Sequence, residues 1–326
     1  MKLRHALAGT VALPLALAVA SSANAATIVD NAEHQLNIGG YVAAQAAWQM
    51  PDVGDNDFGM GLGLSRLNFK YTAKTDAGNV TALYENDYLN GAYRLRHAAI
   101  MHDGWVAGQT WSFFANLNGL GETIDIFGNA GASSWANRNA LLGKNINLAD
   151  GMSVGVSIED RDQTTIASAA PDLTANFKGN FGGIGVFAAV QSYQIQDPDD
   201  ATSATGEMRM TASASVPVGD TVNVKAAYGM DGDDMAVSAA AQVKLSDQVR
   251  TNLMFEQTMN DADNTDSTSI WINAFYKMPS GFEWGGEVQM VSADTGGSVN
   301  AYDNSMAVST MADGDMAVRL QAKYAF

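Results

Sequence analysis

The chain has 326 residues, 47% of them hydrophobic, with 18 Lys and Arg against 35 Asp and Glu and no cysteine. A net charge of −17 excludes a polyphosphate partner such as nucleic acid, which needs clustered basic residues. The missing cysteines exclude a disulfide framework, and no apolar run beyond residue 25 is long enough for a membrane-spanning helix.

Residues 1–25 read as a secretory signal peptide, not as part of the fold. Lys2 and Arg4 give a basic start, Ala6 to Ala20 is apolar, and Ala23-Asn24-Ala25 is a small-x-small cleavage site. Loss of those two cations takes the charge from −17 to −19. Residues 26–326 form one domain without a linker.

Within that domain the dominant signal has period two. The spacing predicts strands over 36–49, 58–73, 79–87, 92–102, 105–113, 136–148, 152–160, 172–180, 184–194, 207–216, 221–229, 235–245, 249–259, 268–278, 282–292 and 314–326. In the strand at 66–71, Arg66, Asn68 and Lys70 alternate with Leu67, Phe69 and Tyr71. In the strand at 249–256, Val249, Thr251, Leu253 and Phe255 alternate with Arg250, Asn252 and Glu256. Each strand therefore has one apolar and one polar face, which suits a soluble sandwich or a membrane barrel.

The connections decide between those two. Every second one is tight: Lys74–Gly78, His102–Gly104, Ala149–Gly151, Phe181–Gly183, Pro217–Asp220, Ser246–Gln248 and Pro279–Gly281. Most others are longer and acidic, as with Asp52, Asp55 and Asp57, then Asp197, Asp199 and Asp200, Asp231, Asp233 and Asp234, and Asp261, Asp263 and Asp266. Short turns alternating with long loops are the pattern of an outer-membrane barrel, and a sandwich has no reason to sort its loops so. The Tyr88–Gly91 connection is short and is the exception. The final strand sets Met316, Val318, Leu320, Ala322, Tyr324 and Phe326 on one face, against Arg319, Gln321 and Lys323. An amphipathic strand with a terminal aromatic resembles the assembly signal of such barrels. The expected fold is all-β: a closed antiparallel transmembrane β-barrel of about sixteen strands in the outer membrane of a Gram-negative bacterium.

Basic residues are few and sit within the strands, mostly opposite the apolar parity. An Arg or Lys facing lipid at mid-depth costs about 2–4 kcal/mol, so these side chains are expected to face the lumen. Arg66, Lys70, Arg94, Arg96 and Arg138 flank the longest connection, Phe114–Trp135, and are expected to form a basic pore wall. That connection carries Glu122 and Asp125 among Leu117, Leu120, Ile124, Ile126 and Phe127. It is too apolar for a solvated outer loop and is expected to fold inward as a constriction loop. Its two acids would then face the arginines across the narrowest point.

Arg96-His97-Ala98, Gly108-Gln109-Thr110-Trp111-Ser112-x-Phe114 and Gly121-Glu122-Thr123-Ile124-Asp125-Ile126-Phe127 together resemble the DcaP-like porins of Gram-negative bacteria. Those porins show a similar run leading into an arginine-bearing strand, here with Arg138. Gly121 stands where that family often has Pro, and Ala26–Gln35 is too short for the N-terminal coiled coil of some members. The resemblance implies a sixteen-stranded homotrimer whose third loop narrows each pore, with a preference for small anions such as dicarboxylates. The expected partners are further copies of the chain, meeting near Trp105 and Trp111, outer-membrane lipid, lipopolysaccharide and small anionic solutes. The expected function is passive diffusion of small hydrophilic solutes, with a weakly selective general porin as the alternative.

An outer-membrane barrel enzyme is the alternative from another class. Gly151-Met152-Ser153-Val154-Gly155 fits G-x-S-x-G, but it opens a strand after a turn, and a nucleophile elbow needs a strand–turn–helix. His34, His97 and His102 lack metal-ligand spacing, and Gly59-x-Gly61-x-Gly63 lies in a strand, not in a phosphate loop. No catalytic residue, metal or cofactor is expected, and the aspartate-rich loops read as solvated.

Overall fold

The computed structural model describes residues 25–89, 92–125, 128, 137–160, 170–196, 204–232, 234–260, 265–294, 299–302 and 308–326. Residues 1–24, where the signal peptide is expected, the second half of the long connection apart from Gly128, and the connections around 197–203 and 261–264 lie outside the described residues.

Twenty strands are described. They are β1 (Ala26–Asp30), β2 (His34–Met50), β3 (Asp57–Gly61), β4 (Arg66–Thr75), β5 (Gly78–Leu89), β6 (Ala92–His102), β7 (Trp105–Trp111), β8 (Arg138–Ala149), β9 (Met152–Asp160) and β10 (Asp172–Phe181). They continue with β11 (Ile184–Gln196), β12 (Ala204–Val218), β13 (Val222–Asp231), β14 (Asp234–Lys244), β15 (Val249–Asn260), β16 (Thr265–Lys277), β17 (Phe282–Ala293), β18 (Val299–Tyr302), β19 (Val308–Met311) and β20 (Met316–Ala325).

Sixteen of them close a ring by antiparallel pairing: β2, β4 through β17, then β20, which returns to β2. The alternation read from the sequence is the reason. In β9 the odd positions Gly155, Ser157 and Glu159 are buried, while Val156, Ile158 and Asp160 are exposed. In β15 and β16 the interior positions Asn252, Met254, Trp271 and Asn273 are buried, whereas Leu253 and Ile272 are about half exposed on the outer wall. A closed ring of this kind satisfies every ladder hydrogen bond and leaves an apolar exterior, which is what lipid demands of a spanning sheet.

The strand expected at 58–73 is broken in the structure. β3 pairs with β2 at 45–49 and β4 pairs with it at 34–41. At the gap, the Ser65 hydroxyl replaces the ladder: Oγ accepts from the Ala43 N–H (2.9 Å) and donates to the Leu62 carbonyl (2.7 Å). Besides β3, three strands lie beyond the sixteen. β1 folds back on the start of β2, and β18 with β19 makes a hairpin in the last long connection. The seam is closed by reciprocal backbone bonds between Gly40 and Phe326, 3.0 Å each way.

Candidate pore-lining site

The long connection leaves β7 and turns inside the barrel. Phe113 docks on the interior of β8 and β9 where two wall residues are glycine: a Cβ on Gly143 or Gly155 would lie 2.7–2.8 Å from an atom of the Phe113 ring or its Asn176 neighbour. Phe114, fully buried, packs on Phe187 and Ala189 of β11, under the Arg209 guanidinium 4.5 Å from its ring. Asn116 bonds Thr211 (2.9 Å) and Ser213 (2.6 Å) of β12, and Asn118 bonds Ser213 (3.0 Å). Lys225 of β13 donates to the Leu120 carbonyl (2.7 Å). Further on, Ile124 and Asp125 reach β17, β20 and β2: the Glu287 carboxylate accepts from both of their N–H groups, and the Gln45 amide donates to the Ile124 carbonyl (3.3 Å). The described part of the connection thus lies within the ring, against the wall from β8 round to β2.

Two groups of charges face the interior. The first is on β4 to β8. Arg66, Lys70, Arg94, Arg96 and Arg138 are all there, and the structure adds two acids that sequence reasoning passed over, Glu85 and Asp87 of β5, both fully buried. The Arg96 Nε donates to Glu85 (2.7 Å) and its Nη1 to Asp87 (2.6 Å). Arg94 makes a two-pronged contact with Asp87 at 2.9 and 2.7 Å. Arg66 lies 3.6 Å from Glu85 and 4.7 Å from the centroid of the Tyr41 ring. A bulge makes this crowding possible. Glu85 pairs with His97 and Asn86 with Leu95, so Arg96 is an extra residue in β6. An extra residue re-aims its neighbours, and Arg94, Arg96 and His97 all reach the interior side.

Arg138 differs from the other three arginines. Its guanidinium lies 3.5 Å from the Trp111 ring centroid and its Nε 3.5 Å from His97 Nε2, with no carboxylate within 4.0 Å among the described residues. His97 in turn bonds Thr110 (2.9 Å). Lys70 is exposed on the interior face of β4, also without an ion pair among the described residues. Trp111, expected on the outer wall with Trp105, instead lies beneath Arg138, while Trp105 is 49% exposed on the exterior.

The second group is on β13 to β20 and on the inward segment itself. Glu122 pairs with Arg250 of β15 at 2.8 and 2.5 Å, and Arg250 also holds Glu283 of β17 (2.7 Å). Lys323 of β20 is 2.9 Å from Glu283. Asp125 is 3.7 Å from Arg319, which reaches Glu287 at 3.2 Å. The ion pairs of Glu122 and Asp125 are therefore with Arg250 and Arg319, not with Arg66, Arg94, Arg96 or Arg138.

The residues weighed for catalysis are apart. In the G-x-S-x-G run, Gly151 makes a turn (φ +74°) and Gly155 makes room for Phe113, both within a hairpin of strands. His34 bonds Tyr71, His102 lies near the Asn79 carbonyl, and His97 is in the arginine cluster.

No sequence-family profile matches the chain, nor does any curated protein sequence. Solved structures do match. The outer membrane channel DcaP of Acinetobacter baumannii is similar over 92% of this chain and 100% of that one, with a TM-score of 0.72 at 19% identity. An anion-selective porin from Comamonas acidovorans covers 90% of this chain and 100% of its own, with a TM-score of 0.70 at 13% identity. The trimer form of OmpT, an outer membrane protein of Vibrio cholerae, covers 90% and 100%, with a TM-score of 0.65 at 15% identity. The fold of this chain is that of the outer-membrane porins.

Proposed function

We propose that the chain is an outer-membrane porin, passing small hydrophilic solutes by diffusion with a preference for small anions such as dicarboxylates. The observation that carries this reading is the charge balance of the first group, five cations against the two acids Glu85 and Asp87. The inward segment occupies the opposite side of the ring, so the open lumen is bounded by this basic wall. Guanidinium groups held by buried acids are fixed in place, and a fixed planar fork can take a carboxylate in two bonds. Net charge of the whole chain is the wrong guide, because most acids lie on connections bathed in salt, where the Debye length is about 8 Å at physiological ionic strength. The reading involves no covalent chemistry, metal or cofactor.

The similar trimer form and the apolar outer wall around Trp105 support a homotrimer embedded in outer-membrane lipid and lipopolysaccharide. Native mass spectrometry in detergent should give three copies. Thiol labelling of intact cells should mark a cysteine placed at Asp55 and spare one at Ser246, since the long connections face outward in this reading.

The deciding experiment is a planar-bilayer recording of the reversal potential in a salt gradient. An anion-selective potential, with small dicarboxylates passing or blocking better than dications of equal size, is the expected result. A potential near zero transfers the protein to the general-porin reading.

A further inference from the structure

Each end of the described inward segment is tied to one buried glutamate of the wall. At the start, the Glu159 carboxylate of β9 accepts from the Phe113 N–H (2.9 Å), Asn139 (2.8 Å) and Ser157 (2.6 Å). At the far end, the Glu287 carboxylate of β17 accepts from the Ile124 N–H (2.7 Å), the Asp125 N–H (2.9 Å), Asn273 (3.1 Å) and Arg319 (3.2 Å). Both glutamates are 2% exposed.

Their places in the ring give these bonds a purpose. β9 and β17 stand eight positions apart in a ring of sixteen, on opposite sides. Half the ring is eight strand spacings of about 4.8 Å, lengthened by tilt to an arc of roughly 50 Å. The chain from Phe113 to Ile124 reaches at most about 40 Å when extended. It therefore runs inside the arc, on the interior side chains of β11 to β16, as a strap laid along the wall between two fixed points. Wall glycines let it lie close: a Cβ on Gly185 would come within 2.9 Å of Asn118, and one on Gly285 within 3.0 Å of Ile124.

We propose that Glu159 and Glu287 are the positioning residues that hold this strap and so set the width of the pore. The proposal rests on the channel reading above. The chemistry is specific to an ionised carboxylate. Its two oxygens offer about four acceptor sites, and Glu287 uses all four, two of them for backbone N–H groups that need an acceptor once buried. An amide of the same shape offers one oxygen and adds two donors of its own, so it cannot accept all four. Releasing the far end lets the strap leave its seat on the wall and move toward the mouth, while the ladder of β17 is untouched.

The chain has no cysteine, so a single thiol can report on the strap. Ile124 is 2% exposed. Ile124→Cys in purified protein should react slowly with a water-soluble maleimide, and adding Glu287→Gln should raise that rate by an order of magnitude or more as burial is lost. Glu287→Gln alone should raise single-channel conductance roughly twofold, with added current noise, as the constriction loosens. Glu287→Asp should restore part of both values, and the heat-modifiable gel mobility of the folded barrel should stay as in the parent. Labelling and conductance both at the parent level in a folded Glu287→Gln barrel overturn the proposal and leave the channel reading standing. A parent that carries no current overturns the channel reading, while the labelling rates still judge the strap. If Glu287→Gln does not fold, Glu159→Gln with Phe114→Cys poses the same question at the other end, with the same two outcomes.

Discussion

The two charged sides of the lumen hold similar numbers of cations and use them differently. On β13 to β20, Lys225, Arg250, Arg319 and Lys323 share the interior with Glu122, Asp125, Glu283 and Glu287, and Glu256 is buried on the same face of β15. That side has no excess of cations, and most of its charges are occupied in holding a loop. On β4 to β8, two acids serve five cations, and the acids are the more deeply buried partners: Asp87 is fully buried while the Arg94 side chain is 39% exposed. Arg94 thus stands above its acid and toward the lumen, while Arg96, 5% exposed, is enclosed with Glu85 and Asp87 and limits the desolvation cost of the cluster. Similar residue types thus serve as fasteners on one wall and stand in excess of their acids on the other. The number of ionised side chains does not distinguish the two walls, and the balance of partners does.

The largest effect expected is from removing the two arginines that cover Asp87. Arg94→Ala with Arg96→Ala leaves three cations against two buried acids that have lost most of their partners. The anion-to-cation permeability ratio should fall on the order of tenfold. An unchanged reversal potential would show that the basic wall is not the filter. A smaller shift is expected from Arg138→Ala. Among the described residues no carboxylate within 4.0 Å loses a partner there, so the ratio should drop by about half that amount on a logarithmic scale without loss of barrel stability. Arg138→Lys keeps the charge and should keep most of the selectivity, whereas its flat contact with Trp111 is lost. Smaller again is the effect of salt. The rim with the long connections carries Asp52 and Asp55 between strands and Asp57, Asp231, Asp234 and Asp266 at strand ends, which should repel an approaching dianion at low ionic strength. Raising salt toward 1 M shortens the Debye length to about 3 Å and should speed dicarboxylate entry by a factor of roughly two. The smallest expected change is none. Arg250→Gln with Glu122→Gln removes one charge of each sign from that wall and should leave the reversal potential where it was. A shift as large as that of the Arg94 and Arg96 pair would erase the distinction between the two sides.

Much of this architecture was legible from residue order. Strand parity told which side chains face inward, because a lipid-facing charge is costly and the pleat allows two faces and no third. The apolar residues of the long connection told that it folds inward. Three things were hidden. Glu85 and Asp87 lie in a strand read for its ends, and their role depends on a bulge in β6 that period-two reading skips. Partners across the lumen, such as Arg250 for Glu122, are separated by 128 residues and follow from where the strap lands, which no local pattern encodes. The break between β3 and β4 rests on one hydroxyl, Ser65, standing in for a ladder rung. The glycines at 143, 155, 185 and 285 carried a usable signal, since glycine on the interior parity of several strands marks a track where another backbone passes close.

The seam between Gly40 and Phe326 has a consequence for how the barrel is born. Every other strand of the ring pairs with one made shortly before or after it, but β2 waits for β20. Bringing ends nearly three hundred residues apart together costs about 5 kcal/mol in chain entropy, drawn before the last rungs form. Until then both edges of the sheet are open, the one state in which a spanning sheet cannot tolerate lipid. The pairing of β2 with β20 is thus the most non-local step of the ring, and shortening the final strand by one or two residues should slow closure, read as the appearance of the heat-modifiable folded band, more than a change within the lumen does.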